Sequence, residues 1–358
     1  MTREEVLARC TRFFGHPPKT ARERLIEIAE STAPEERPDR YGGGELLESF
    51  EREIAQLLGK EDAVFMPSGT MAQQIALRVH CDRRNRRAAA LHPQSHLIVS
   101  ENDGLSRLHG LSPVPIGDRN RLFTLDDLKA VREPLGALLV ELPERNIGGA
   151  LRSWDDLNAL CAWARERGIA LHMDGARLWE SQPFYGRDIA ELAAPFDTVY
   201  VSFYKILNAV SGAALAGEKN AIDEARGWQW RQGGRLVQQY PAVLSAREGL
   251  RRYLPRVPLY VQRAQSIAAI LRTFENVSVT PDPPPTNMMH VFVRGDRDAL
   301  QAAALSISAE RKIWLPVALQ STPLPDVHMF ELTCGEGSLE ISDEEVRELF
   351  AALFDSRA

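Results

Sequence analysis

Ile169-Ala170-Leu171-His172-Met173-Asp174-Gly175-Ala176-Arg177 begins as a short, mostly apolar run and stops at an acid followed by a glycine. A short apolar run closed by a turn signal reads as a strand covered on both faces. The segment before it, Trp154 to Gly168, puts Leu157, Leu160, Cys161 and Ala164 on one helical face. The segment after it contains a second apolar run, Thr198 to Phe203, closely followed by Lys205. Strand and helix in alternation predict an α/β fold: a mostly parallel sheet with helices on both faces.

The alternation extends outward from this unit. Upstream, Ala137 to Leu142 reads as a buried strand and Leu97-Ile98-Val99 as another. Ala63 to Met66 reads as a short strand that runs into Pro67-Ser68-Gly69-Thr70 and a helix over Thr70 to Val79. Glu45 to Leu58 has helical spacing with Gly59 as its stop. Downstream, Gly212 to Gly217 reads as a strand and Pro241 to Tyr253 as a helix. Pro255 and Pro258 mark a joint. Beyond it come helices over Tyr260 to Phe274 and Asp298 to Ile307, and strands over His290 to Val293 and Val327 to Leu332. Ser342-Asp343-Glu344-Glu345 is a capping box for the last helix. Three parts are expected: a polar arm over 1–44 with one helix from Ala21 to Ser31, a large domain over 45–253, and a smaller α+β domain over 254–358.

Bulk numbers narrow the function. At 358 residues the chain exceeds what one core usually serves. A net charge of −6, from 43 basic and 49 acidic residues well mixed, gives no reason to expect nucleic acid or membrane as a partner. The basic cluster Arg83, Arg84, Arg86 and Arg87 reads as a solvated loop past a helix end. Cys10, Cys81, Cys161 and Cys334 are scattered without a CxxC pair, so neither a disulfide framework nor a metal site is expected. The charged start, Met1-Thr2-Arg3-Glu4-Glu5, has no apolar core after it, and a cytoplasmic location is expected.

In sheets of this kind ligands bind beyond the carboxyl ends of the strands. Asp174 and Lys205 both fall at such ends, 31 positions apart (205 − 174). Ser68, Gly69 and Thr70 open a helix, whose N-terminus favours an anion. An amine, a carboxylate and an anion-binding turn are what pyridoxal 5′-phosphate (PLP) requires. The amine forms a Schiff base, the carboxylate keeps the pyridinium nitrogen protonated, and the turn takes the phosphate. Plainer readings use the same residues: Lys205 at the surface, Asp174 closing a turn with Gly175, Ser68 as an ordinary cap. A cap and a phosphate cradle share donors, and the sequence alone leaves both open.

By its runs and their order the chain resembles the threonine aldolase and β-eliminating lyase family of fold-type-I PLP enzymes. The runs are Pro67-Ser68-Gly69-Thr70-Met71-Ala72, Ser95-His96-Leu97 followed by Glu101 and Gly104, Gly148-Gly149 after Glu141, Asp174 to Arg177, and Lys205. They cover roughly residues 40–220 well and the rest loosely. The resemblance implies the aspartate aminotransferase fold, with Lys205 as the Schiff-base lysine, Asp174 at the pyridinium nitrogen and His96 stacked on the ring. It implies that Arg177 clamps the substrate carboxylate. It also makes Tyr41 part of a loop lent to a neighbouring subunit, hence a homodimer or homotetramer.

The chain departs from that pattern where the substrate would sit. The family's histidine beyond the glutamate is replaced in Glu141-Leu142-Pro143-Glu144-Arg145-Asn146, with Glu144 nearest its position. No Arg or Lys lies between Lys312 and Arg347, and Met329-Phe330-Glu331-Leu332-Thr333 offers Glu331 where the family has a carboxylate-binding arginine. Arg12, Arg231 and Arg235 are candidates for the missing charge. The expected activity is a PLP-dependent lyase on a β-substituted L-amino acid, by retro-aldol cleavage to glycine and an aldehyde with Glu144 or His96 as base. β-Elimination, an aminotransferase on the same fold, and a non-catalytic PLP-fold protein are the rival readings.

Overall fold

The computed structural model describes residues 2–354. The chain divides into two compact units: residues 20–146 with 151–255, and the first 19 residues with 147–150 and the residues from 256 onward. The first 44 residues are therefore not one body. Arg12-Phe13 pairs in parallel with Ile313-Trp314 inside the smaller unit, whereas residues 20–44 belong to the larger.

The larger unit is built on a seven-stranded sheet: β1 (Asp62–Met66), β2 (Ala88–Leu91), β3 (Ser112–Pro115), β4 (Leu135–Glu141), β5 (Ala170–Gly175), β6 (Thr198–Ser202) and β7 (Ala213–Gly217). Their spatial order is β1-β7-β6-β5-β4-β2-β3. Four of the six ladders are parallel; β7 runs antiparallel to both its neighbours. The central strands are buried along their whole length, as strands between two helical layers must be. Helix Gly69–Arg83 packs Ala72, Ile75, Ala76 and Val79 onto β1, β6 and β7.

Two sequence expectations change here. Leu97-Ile98-Val99 is not a strand but part of a helical turn, His96–Val99, with Leu97 buried and Val99 half exposed. Three apolar residues fit either geometry, and the one-sided burial is helical. The strand in that region is β2, whose Ala88-Ala89-Ala90-Leu91 carries no β-branched residue to announce it. The arginine cluster does lie past a helix end, where Arg83 pairs with Glu224 at 2.9 Å and Arg87 with Asp82 at 3.0 Å.

The smaller unit is α+β. β8 (Val277–Thr280), β9 (Met288–Arg294), β10 (Gln320–Ser321) and β11 (Val327–Thr333) form an antiparallel sheet in the order β10-β11-β9-β8. Helices Val257–Leu271, Arg297–Arg311 and Asp343–Phe354 share a core with that sheet around Val291, Phe330, Leu349 and Phe350. The expected capping box is formed: Glu345 accepts the Ser342 N–H at 2.9 Å and donates its own N–H to the Ser342 hydroxyl at 3.2 Å. Among the described residues no helix is long and apolar enough to cross a membrane, and all four cysteines are buried and free.

Candidate active site

β4, β5 and β6 are adjacent and parallel, and Glu141, Asp174 and Tyr200 sit side by side in register near their carboxyl ends. Three strand ends therefore converge on one crevice, the place where such sheets bind ligands. The cavity there encloses about 450 Å³ including its open mouth. Gly69, Thr70, His96, Asp174, Arg177 and Lys205 all line it. Residues scattered over 137 positions (205 − 68, counting from Ser68) are thus brought together by the sheet.

Lys205 lies in a tight loop after β6. Phe203 anchors the loop, buried between Phe50 and Phe65 with its N–H on the Gly212 carbonyl at 3.1 Å. Asn208 donates its N–H to the Lys205 carbonyl at 2.9 Å, and Arg24 reaches in to the Asn208 side chain at 2.8 Å. The backbone is fixed, but among the described residues no hydrogen bond or ion pair holds the Lys205 ammonium. Burial, and then the nearby Arg177 guanidinium, bring its pKa down to about 8; Asp174, Glu180 and Glu141 oppose that shift. A lysine in this setting gives up its proton near neutral pH and becomes a nucleophile.

Asp174 is almost fully buried, and one of its oxygens accepts the Ala176 N–H at 2.9 Å. Burial pushes its carboxyl up, and the Lys205 charge pulls it back. His96 is held from two sides. Its N–H donates to Glu141 at 2.8 Å, and its ring Nδ1 bonds Glu101 at 2.9 Å. Glu101 accepts in turn from the Gln74 side chain at 2.7 Å. Gly104 belongs to the same arrangement, since a Cβ there would overlap the Gln74 amide.

At the helix start, the Ser68 hydroxyl accepts the Met71 N–H at 3.3 Å, so Ser68 caps, while Gly69 and Thr70 line the cavity. A Cβ on Gly69 would overlap the Tyr200 phenol. Only glycine lets the helix start approach β6 this closely. Arg177 begins the next helix, above a buried Glu180 whose carboxyl is raised to about 7 by burial.

Other candidates fall elsewhere. Glu144 does not line the cavity; it is buried behind Glu141, 3.6 Å from His92 Nδ1. Tyr41 and Arg235 meet each other instead: the Arg235 Nε donates to the Tyr41 carbonyl, and the guanidinium stacks on Trp230 at 4.7 Å. Arg231 stacks on Trp228 at 4.9 Å. In the smaller unit Arg12 is paired with Glu345 at 2.7 Å, and Glu331 faces His290 across the β9–β11 ladder. Sequence reasoning had not assigned the cavity residues Gln73, Pro143, Arg145, Asn146 and Tyr204 any part. The segment after β4 carried no periodic signal. Glu141, Pro143, Arg145 and Asn146 face the cavity while Leu142 and Glu144 are buried, because the chain bends at Leu142-Pro143 and enters a 3-10 turn over Arg145–Ile147.

These groups fit PLP. A lysine with a lowered pKa, a buried carboxylate one strand away and a glycine-opened helix start share one cavity, which is the donor set that cofactor needs.

Comparison with known proteins gives the same direction. The β-eliminating lyase family model matches residues 27–295. Low-specificity L-threonine aldolase 1 of Arabidopsis thaliana is 29% identical over 250 residues, 67% of this chain and 70% of that protein. A crystal structure described as a candidate L-allo-threonine aldolase of Listeria monocytogenes superposes with a TM-score of 0.95 at 38% identity, over 98% of both chains. A second, from Exiguobacterium and described as a candidate aromatic amino acid β-eliminating lyase or threonine aldolase, gives 0.93 at 35%, again over 98% of both.

Proposed function

Because the chain belongs to the threonine aldolase and β-eliminating lyase family of PLP-dependent enzymes, we propose that it cleaves a β-hydroxy L-amino acid to glycine and an aldehyde. The cofactor is PLP, and the enzyme is a lyase. The observation that carries the proposal is the convergence of Lys205, Asp174 and the Gly69-opened helix start on one cavity where the β4, β5 and β6 ends meet.

Lys205 Nζ would hold the cofactor's carbonyl carbon, and Asp174 would keep its ring nitrogen protonated. Gly69 and Thr70 offer N–H groups and a hydroxyl to the phosphate. When bound, PLP supplies the sink for the electron pair released at Cα. The chain's own residues orient and exclude. Arg177 takes the substrate carboxylate through its two-pronged guanidinium. His96 covers the ring, its orientation fixed by Glu101 and Gln74. With the ring proton on Nδ1 toward Glu101, Nε2 would accept the β-hydroxyl proton. Glu144, set back from the cavity, has no direct part in that step.

We read the enzyme as a cytoplasmic homo-oligomer. In support, Trp230, Leu236 and Val237 are exposed around Tyr41 and Arg235 on one face of the larger unit. The test of the activity is a panel of L-threonine, L-allo-threonine, L-phenylserine and L-cysteine read by mass spectrometry. Glycine with acetaldehyde or benzaldehyde is the expected product. Ammonia with pyruvate would replace aldol cleavage with β-elimination.

A further inference from the structure

Glu141 and Glu144 are two buried carboxyl groups in contact, 7% and 2% exposed, and among the described residues no Lys or Arg lies within ion-pair distance of either. The nearest cationic candidate is His92, with its Nδ1 3.6 Å from Glu144. That nitrogen is already an acceptor, because it takes the Gln94 N–H at 3.1 Å. The other ring nitrogen, Nε2, faces the Asp118 and Arg121 carbonyls at 3.2 and 2.9 Å and must be the donor. His92 is therefore held neutral, with no proton facing Glu144. Arg152, the next charge on that side, is committed to the Phe123 carbonyl at 2.9 Å and to the Phe123 ring. On the cavity side the charges are Asp174, which repels, and Lys205, Arg145 and Arg177, which attract. His96 meets Glu141 through its backbone N–H and turns its ring to Glu101.

Two uncompensated carboxylates at this depth would repel at low dielectric, and a pair so placed keeps a proton instead. We propose that Glu141 and Glu144 share a single proton, carried by Glu144 and donated to Glu141, and that this pair is a positioning device that anchors His96 over the cavity. Burial raises both carboxyls, in keeping with that arrangement. Glu141 then accepts the Glu144 O–H from behind and the His96 N–H at 2.8 Å from the front, with the Ser95 hydroxyl beside it. Losing the proton would set two charges against each other beneath the residue that covers the cofactor ring. The proton sharing stands on the geometry of the chain alone; only the purpose of holding His96 rests on the PLP-lyase reading.

The test is infrared spectroscopy of the full-length protein at neutral pH, with and without PLP, alongside Glu144→Gln and Glu144→Leu. The difference spectrum of wild type minus either variant should show the carbonyl stretch of one buried protonated carboxylic acid; the Glu180 carboxyl, also raised by burial, cancels in it. Glu144→Leu should weaken PLP binding about 10-fold, the scale of removing a partner from behind a ligand-holding group. Glu144→Gln, which keeps an N–H toward Glu141, should restore most of that affinity. A difference spectrum without that band overturns the proposal. A wild type that shows the band but yields no aldehyde from any β-hydroxy amino acid upholds the pair and overturns the functional reading.

Discussion

Lys205 and Asp174 stand at the ends of two adjacent strands, whereas Pro143, Arg145 and Asn146 ride on a segment that leaves the sheet after β4. The first region is held by ladders and a buried aromatic cluster, so its side chains arrive at fixed positions. The second is held by local contacts: Asn146 bonds the Gln94 carbonyl at 2.7 Å, and Glu141 bonds the His96 N–H at 2.8 Å. Scaffolded strand ends suit the chemistry shared by a family; turns suit what distinguishes one substrate from another. Of the chain's departures from its family, the one at Glu144 falls in the second region and the one at Glu331 in the smaller unit.

Substitutions should therefore act differently in the two regions. Asp174→Asn, at the rigid end, should lower kcat by roughly 10²–10³-fold, as when one preorganised electrostatic partner is removed. An unchanged kcat in steady-state assays would remove Asp174 from the cofactor's ring. Gly69→Ala should force the helix start off Tyr200 and destabilise the fold by about 1–3 kcal/mol, read by thermal unfolding, with weaker PLP binding. If both quantities are unchanged, the close approach has no role. Arg12→Ala should cost less than about 1 kcal/mol, since its pair with Glu345 is partly exposed, and should leave KM unchanged. A raised KM would restore Arg12 as a substrate ligand and show that the charge missing from the C-terminal stretch comes from the first strand.

Sequence legibility follows the same division. Ile169 to Met173 announces β5 because its apolar side chains match a position buried on both faces, and Asp174 and Lys205 follow from the rule that strand ends hold ligands. Ala88 to Leu91 hides because alanine has no β preference, although the strand is as buried as its neighbours. Leu97 to Val99 misleads because three residues are too few to define a period. The Gln74–Glu101–His96 chain joins a helix to a turn, and nothing in the spacing of those residues fixes which atoms meet. The contact between Tyr41 and Arg235, 194 residues apart, is of the same kind. Arg145 and Glu144 are of the same kind, since the strand ends at Glu141 and the bend and 3-10 turn that follow decide which side chain meets the cavity.

The same buried acids shape stability. Burial makes the Glu141–Glu144 pair keep one proton and raises Glu180 from 4.5 to about 7. The native state then keeps protons that the unfolded chain has shed. Stability should accordingly fall as pH rises from about 4.5 to 7, the reverse of the trend for a salt-bridged carboxylate. Chemical denaturation of the cofactor-free protein across that range measures the slope, and a stability that rises instead would show these groups to be ionised.

Lys205 as the single point of cofactor attachment is tested most directly by borohydride reduction of the PLP-loaded protein, followed by peptide mass spectrometry. The mass of the reduced cofactor is expected on Lys205 alone, with none fixed in Lys205→Ala and turnover lower by roughly 10⁴–10⁶-fold, the scale of losing a covalent group. Label on another lysine, or a reducible linkage that persists in Lys205→Ala, would contradict the account.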